Sequence, residues 1–218
     1  MSGQSKQSAA RQNLSSEQWA EAALDTMAAG GLDAMAVEPL ARRLGVTKGS
    51  FYWHFPNRLA LIKAALALWE KNETLDILRG VEDEPDPYER IVRLFKQADS
   101  GYRAGRLYLA MAAATDDPIV GEVVHRVSSQ RIRYLYDCYR ALGLPELEAQ
   151  LWSTFAYATF IGNQQVHRDV PDRFPEGQDF REYFKLMVRT LIPRPSGSGD
   201  PGDKATHSAV VPLRKAGT

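Results

Sequence analysis

Residues 45–55, GVTKGSFYWHF, combine a cation, two hydroxyls, a histidine and four aromatic rings within eleven positions. Such side chains can hold phosphate oxygens and contact base edges. Catalysis would need other patterns, and the sequence has no nucleophile motif and no glycine-rich phosphate loop. His125 and His167 have no cysteine or carboxylate at metal-ligand spacing, so no metal site and no cofactor are expected. The stretch could be a core plug, an aromatic cage for a ligand, or a surface that touches a partner.

Two short helices that flank Gly45 must position these side chains. The first runs from about residue 37 to 44 and tolerates Pro39 in its first turn, where no backbone hydrogen bond is lost. Gly45 ends it, because glycine adopts a positive φ without strain. Thr47 caps the second helix, which carries residues 50–55. Two short helices joined by a three-residue turn predict a helix-turn-helix.

Helical phase divides the rings of the second helix between two faces. At about 100° per residue, Phe51 and Phe55 fall on one side and should face the core. Gly49 and Trp53 fall opposite, and Ser50 and Tyr52 flank them, with His54 near the edge. An exposed Trp-Tyr pair predicts a binding partner.

Charge favours nucleic acid as that partner. The whole chain has a formal net charge of zero. Residues 42–63 nevertheless contain five basic residues and no acidic ones, which gives 5 − 0 = +5. A charge run is often only a solvated face, but this one surrounds the helix-turn-helix. Duplex DNA is therefore the predicted partner.

Residues 15–68 resemble the N-terminal DNA-binding domain of TetR-family transcriptional regulators. The matching residues are Gly31, Val37, Leu40, Ala41, Leu44, Gly45, Val46, Lys48, Gly49, Ser50, Phe51, Tyr52, His54, Phe55, Asn57, Arg58 and Leu61. The resemblance implies an all-α homodimer whose N-terminal domains read a palindromic operator. It also implies C-terminal helices that dimerise and enclose a pocket for a small-molecule effector.

By position, the resemblance implies a set of DNA contacts around the second helix. Family members often place a threonine where the first helix of the motif begins, and this chain has Ala36 there. Arg42 or Arg43 would then replace that phosphate contact. The candidate DNA-binding residues are Arg42, Arg43, Thr47, Lys48, Gly49, Ser50, Tyr52, Trp53, His54 and Arg58.

The rest of the chain also reads as helical, with about nine helices and no strand pattern. Helix starts are predicted at Ser15, with Gln18 as its capping-box partner, and at Asn57, Asp117 and Asp179. The predicted fold is all-α, with a three-helix N-terminal DNA-binding domain and a C-terminal helical domain for ligand binding and dimerisation. The predicted divisions are a disordered arm (1–13), the helix-turn-helix domain (14–56), a connecting helix (57–80), the effector and dimerisation domain (81–192) and a disordered tail (193–218).

Two apolar stripes in the C-terminal half are candidate dimer contacts, although both could simply fill the core of one protomer. Leu147 begins the first stripe, and the candidate contact residues of the two stripes are Leu151, Phe155, Ala158, Gly162, Phe184, Met187 and Leu191. The candidate walls of an effector pocket are Phe95, Tyr102, Met111 and Trp152, with possible polar contacts from Asp99, His125 and Asn163.

The sequence lacks an uninterrupted apolar run long enough to span a membrane, and its polar N-terminus lacks a signal-peptide core. A single cysteine, Cys138, excludes an internal disulfide and fits a reducing compartment. We therefore expect a cytoplasmic, ligand-responsive transcriptional regulator, with a repressor favoured and no catalytic activity. The alternatives are a helical small-molecule-binding protein or enzyme with a vestigial helix-turn-helix, and an interaction scaffold.

Overall fold

The computed structural model describes residues 14–98 and 102–193, and this part of the chain is built from helices without a strand. A π turn, Lys71–Leu75, joins α4 to α5, so the ten labels below correspond to nine helical rods, as predicted. The arm 1–13, the tail from 194 onward and Asp99 lie outside the described residues, as does the side chain of Tyr102. The helices are α1 (Ser16–Gly30), α2 (Val37–Arg43), α3 (Lys48–Tyr52), α4 (Arg58–Glu70), α5 (Asp76–Arg79), α6 (Pro87–Ala98), α7 (Tyr102–Ala112), α8 (Pro118–Ala141), α9 (Glu146–Asp169) and α10 (Gly177–Leu191).

Side-chain caps set most helix starts where the sequence predicts them. Ser15 and Gln18 form the predicted capping box of α1. The side chain of Asn57 accepts from the backbone of Ala60 at the start of α4, and Asp117 caps α8. Asp179 is different: α10 begins two residues earlier, at Gly177, and no side chain caps it. The predicted capping box at Asp179 is therefore wrong.

Two hydrophobic clusters form the core of the described residues. The first unites α1 to α4 with α7 and the first half of α8. The second joins α6, the second half of α8, α9 and the end of α10. The helix-turn-helix thus shares its core with α7 and α8, so a shift of those helices must disturb its packing.

The acidic segment between α5 and α6, residues 81–86, is a packed turn. Val81 is fully buried in the second cluster. The guanidinium of Arg90 donates two hydrogen bonds to the carbonyl of Glu84, at 2.8 and 2.5 Å. Arg93 also pairs with the Glu84 carboxylate. These contacts hold α6 against the end of α5.

Tyr139 joins α8 to the end of α10. Its ring is fully buried, and its hydroxyl donates to the backbone carbonyl of Leu191 at 2.7 Å. Burial raises the pKa of this phenol, so it stays neutral and can donate.

None of the described helices is long and apolar enough to cross a membrane. The described part of the chain also has no group of three or more His, Cys, Asp or Glu residues placed to hold a metal ion.

Candidate nucleic-acid interface and cavity

The turn between α2 and α3 holds the two helices at a fixed angle. Gly45 has φ +69°, which a side chain would disfavour. The backbone N–H of Val46 donates to the carbonyl of Ala41 at 3.0 Å. Thr47 Oγ1 then accepts from the backbone N–H of Ser50 at 3.3 Å and caps α3. The predicted cap is confirmed, and the hydroxyl keeps its own proton available for an outside acceptor.

Phe51 and Phe55 anchor α3 to the core, as helical phase predicted. Phe51 is fully buried and Phe55 nearly so. The Phe51 ring meets Trp19 of α1 edge to face, with 5.5 Å between centroids, and stacks on Phe55 at 5.7 Å. α3 ends at Tyr52, earlier than predicted. The N–H of Phe55 still donates to the carbonyl of Phe51 at 2.9 Å, which preserves the helical phase through the turn.

The opposite side of α3 is open to solvent. Trp53 is 89% exposed and Tyr52 is 55% exposed. Lys48 and Gly49 are exposed beside them, while Ser50 and His54 are half-buried. The buried phenylalanines hold α3 in place, and the exposed side presents aromatic rings together with hydrogen-bond donors. Such a face can enter the major groove of DNA.

Gly49 is not required by the fold of the chain itself. A Cβ at this position would meet only Thr47 Oγ1 at 3.6 Å, an ordinary contact. Glycine in a helix costs roughly 0.5–1 kcal/mol relative to alanine. The packing of the protomer therefore gives no reason for a glycine at this position.

The three arginines assigned to DNA contact differ in their surroundings. Arg42 is exposed and lies 4.0 Å from Glu38 on its own helix. Arg43 instead donates to the backbone carbonyl of Ala22 in α1 at 2.5 Å. Arg58 donates to the carbonyls of Met35 and Leu32, at 2.5 and 2.7 Å. Arg43 and Arg58 thus tie helices together, a role that sequence analysis missed.

The predicted dimer stripe divides between the surface and the interior. Leu151 and Phe155 are 60% and 51% exposed, and Ala158 and Gly162 follow on the same open face of α9. On α10, Phe184 and Met187 are half-buried and Leu191 is only 4% exposed. Leu191 therefore belongs to the protomer's interior, which corrects its assignment as a dimer contact. Leu147, which begins the predicted stripe on α9, is 65% exposed, and the stripe prediction omitted two further exposed hydrophobics, Val166 and Leu186.

A cavity of about 80 Å³ lies between the helices of the C-terminal half. Of the four predicted walls, only Phe95 is shown to line it. Met111 is buried in the first core cluster and Trp152 packs beside Phe155 at the edge of the second, so both assignments are corrected. His125 is exposed, away from the cavity, whereas Asn163 lines it. Sequence analysis missed several of the walls: Thr74, Ile77, Leu94, Tyr108, Arg131, Leu135, Tyr157 and Phe160.

Arg131 is the cation of this cavity. Its Nε donates to Thr74 Oγ1 at 3.0 Å and its Nη2 to the carbonyl of Glu73 at 2.7 Å. Both acceptors belong to the π turn that joins α4 to α5. Burial lowers the pKa of Arg131, which still leaves an arginine charged at neutral pH. This residue thus links α8 to the π turn.

A second link joins α8 to α4 at the surface. The guanidinium of Arg126 donates to both carboxylate oxygens of Glu70, at 2.8 and 2.6 Å. The hydrogen bond from Arg126 lowers the pKa of Glu70, and the same bond raises the pKa of Arg126.

Comparisons with known proteins show that the helix-turn-helix segment is similar to one family of bacterial regulators. The model for bacterial regulatory proteins of the tetR family matches residues 20–65. The tetracycline repressor protein class A from transposon 1721 of Escherichia coli is 39% identical over 85 residues, which are 38% of this chain and 39% of that protein. The chain covers between 22% and 55% of the length of the curated relatives it matches.

The likeness of fold extends over most of the chain. A transcriptional regulator from Rhodococcus sp. Rha1 superposes with a TM-score of 0.68 at 23% identity, over 82% of this chain and 94% of that one. A TetR transcriptional regulator from Legionella pneumophila gives 0.69 at 14% identity, over 83% and 98%. At these identities the likeness concerns the fold alone.

Proposed function

We propose that this chain, whose N-terminal domain is a DNA-binding domain of the TetR family of bacterial regulatory proteins, represses transcription as a homodimer until a small molecule enters its cavity. The observation that carries the proposal is the exposure of the Trp53 ring. Trp53 is 89% exposed at the end of a short helix that Phe51 anchors, within the segment that matches the family. A large ring held rigidly in solvent favours a partner that covers it.

α3 would lie in the major groove of a palindromic operator. Lys48 and the hydroxyl protons of Thr47 and Ser50 would hold phosphates, while Tyr52, Trp53 and His54 would reach base edges. At the start of α2, Ala36 provides no side-chain cap. Arg42 would supply the phosphate contact missing there, because Arg43 is engaged with Ala22. Arg58 has two donors engaged within the protomer, so it would add one phosphate contact at most.

The homodimer would form through the open face of α9. Leu147, Leu151 and Phe155 form a row of large exposed hydrophobics that a monomer would have no reason to keep in water. Ala158 and Gly162 continue the row with small residues, and no heavy atom lies within 4 Å of a Cβ placed on Gly162. A partner helix could approach closely there.

The cavity would couple ligand binding to DNA release. α4 starts at Arg58, beside the helix-turn-helix, and the π turn that follows it contributes Glu73 and Thr74 to the cavity wall. A ligand that shifts this rod would change the separation of the two α3 helices in a dimer. Binding to both half-sites requires a separation near one helical turn, about 34–36 Å.

The proposal includes the division of the chain into a helix-turn-helix domain (14–56), a connecting helix (57–80) and an effector and dimerisation domain (81–192). It places the protein in the cytoplasm, where its DNA is, and gives it no catalytic role.

A gel-shift titration with DNA that flanks the chain's own gene tests the function. The protein should bind this duplex in preference to random DNA of equal length, and affinity should fall steeply as salt rises. Equal binding to both duplexes at moderate salt would refute specific regulation and favour a helical small-molecule-binding protein with a vestigial helix-turn-helix.

A further inference from the structure

The cavity combines an apolar body with one cation at its edge. Most of its walls are hydrocarbon or ring surfaces, from Ile77, Leu94 and Leu135 among others. Arg131 lines the same space. A cation costs free energy to remove from water unless something compensates it. What compensates Arg131 therefore indicates what the cavity can accept.

The protomer satisfies Arg131 only in part. Nε and Nη2 have acceptors in the π turn, a hydroxyl and a carbonyl. Nη1 is shielded from solvent and has no acceptor among the described residues. Arg131 also forms no ion pair with the residues that the structure describes. Tyr157 and the carboxylate of Glu73 act on the charge of the guanidinium electrostatically, and Nη1 remains the donor without an acceptor.

Aromatic rings surround the guanidinium. Its central carbon lies 5.7 Å from the ring centroid of Phe160 and 5.9 Å from those of Trp69 and Tyr108. Ring faces stabilise a cation but neutralise none of its charge. Burial raises the pKa of the Tyr108 phenol, so it stays neutral and can donate. The hydroxyl of Tyr157 already donates to Ser128 Oγ at 2.9 Å.

We propose that the cavity binds a small apolar molecule that carries a carboxylate, with the carboxylate on Arg131 and the apolar body between Leu94 and Leu135. This inference rests on the proposed function, in which the cavity holds the effector. A carboxylate matches the planar fork of a guanidinium and brings a single negative charge. A phosphate dianion would cost more to transfer into walls this apolar.

Glu73 favours the opposite ligand and has to be weighed. Glu73 lines the cavity, and a carboxylate there would attract an amine. Glu73 is nonetheless engaged in an interaction of its own, and its carbonyl already accepts from Arg131. The donor that lacks an acceptor is Nη1 of Arg131, and a ligand carboxylate would supply that acceptor whereas an amine would not.

The same contacts give the ligand a route to α4. Arg131 holds the π turn through Thr74 and the carbonyl of Glu73. A ligand carboxylate that accepts hydrogen bonds from the guanidinium competes with Thr74 Oγ1 and the Glu73 carbonyl. The π turn, and with it the rod that starts at the helix-turn-helix, is then freer to shift.

Titration calorimetry with three probes of one shape tests the ligand class. The probes are 3-phenylpropanoate, 3-phenylpropan-1-ol and 3-phenylpropylamine, each titrated into the full chain at neutral pH. We expect the carboxylate to bind at least ten-fold more tightly than the alcohol, and the amine more weakly than either. An alcohol that matches the carboxylate, an amine that exceeds it, or no binding of any probe at millimolar concentration overturns the proposal.

Arg131→Met locates the carboxylate. This variant should lose at least ten-fold in affinity for 3-phenylpropanoate and no more than about three-fold for the alcohol. Arg133→Met is the matched control, since Arg133 is exposed on the same helix and does not line the cavity. Its affinities should equal those of the unmodified chain. Equal carboxylate affinity in Arg131→Met overturns the proposal.

Two further measurements keep the outcomes separate. If circular dichroism shows that Arg131→Met is unfolded, Arg131→Lys replaces it, because it keeps the charge and loses the fork; we expect an intermediate loss for the carboxylate alone. The gel shift without any probe reports on DNA binding independently. Specific DNA binding without carboxylate preference refutes only the ligand class, and carboxylate preference without DNA binding refutes only the regulator.

Discussion

The rings of Trp19 and Phe51 meet edge to face, with 5.5 Å between centroids and 71° between planes. This contact joins α1 to α3, and both side chains are fully buried. A five-residue helix has little stability of its own, so tertiary contacts of this kind must hold it in place. The exposed face of α3 keeps its orientation because the buried face is pinned.

Phe51→Ala should destabilise the fold strongly. Removing a buried phenylalanine costs about 3–5 kcal/mol, and thermal or urea denaturation measures it. Trp53→Ala is the matched control, two residues along and almost fully exposed, and should change stability by no more than about 0.5 kcal/mol. Similar losses in the two variants would show that α3 is not anchored as described.

Gly49→Ala should separate stability from DNA affinity. The added Cβ meets only Thr47 Oγ1 at an ordinary distance, so the fold should gain about 0.5–1 kcal/mol. Affinity for operator DNA should fall, because the methyl group occupies the space where α3 approaches the groove. Denaturation and fluorescence anisotropy on one preparation give both values. Unchanged DNA affinity would contradict a close approach of α3 to the groove at Gly49.

Phe155→Glu should convert the homodimer to a monomer. Phe155 is half-exposed at the middle of the α9 stripe, so the charge is tolerated in the protomer but not in a dry interface. Sedimentation velocity measures the mass. His125→Glu introduces the same charge at an exposed position of α8 and should leave the dimer intact. A dimer that survives Phe155→Glu would exclude this face as the interface.

The ion pair between Glu70 and Arg126 should lose its stabilising effect in acid. The hydrogen bond from Arg126 lowers the pKa of Glu70 below its ordinary 4.5, so between the two values the unfolded chain binds more protons than the folded one. The contribution is therefore present above pH 4.5 and is lost as pH falls through the folded pKa. A double-mutant cycle of Glu70→Gln and Arg126→Gln should give about 0.5 kcal/mol of coupling at neutral pH. Coupling that persisted at pH 2 would contradict this account.

Local patterns in the sequence predict much of the fold. The caps at Ser15, Thr47 and Asn57 each depend on a side chain and a backbone N–H three residues away. The division of Phe51 from Trp53 follows from helical phase alone. Such features need no knowledge of the tertiary structure, which explains why they are confirmed.

Contacts between distant residues could not be predicted in this way. Arg58 bonds carbonyls 23 and 26 residues earlier, and Arg131 bonds Glu73 and Thr74 almost sixty residues earlier. Backbone carbonyls accept regardless of residue type, so they leave no mark in the sequence. The prediction of the cavity walls failed for a similar reason. Met111 has the right helical spacing for a wall, but the neighbouring helices bury it in the first hydrophobic cluster.

The central claim is that the exposed face of α3 reads a specific DNA sequence, and the specificity ratio of Trp53→Ala tests it most directly. Anisotropy titrations would compare the unmodified chain and Trp53→Ala on the DNA that flanks its gene and on random duplex, at one fixed salt concentration. The variant should lose about 1–3 kcal/mol on the flanking DNA and almost nothing on random DNA. Lys48→Ala, which removes a phosphate contact, should instead weaken both alike. An unmodified chain without preference for the flanking DNA, or a Trp53→Ala variant that loses equally on both duplexes, would contradict the account.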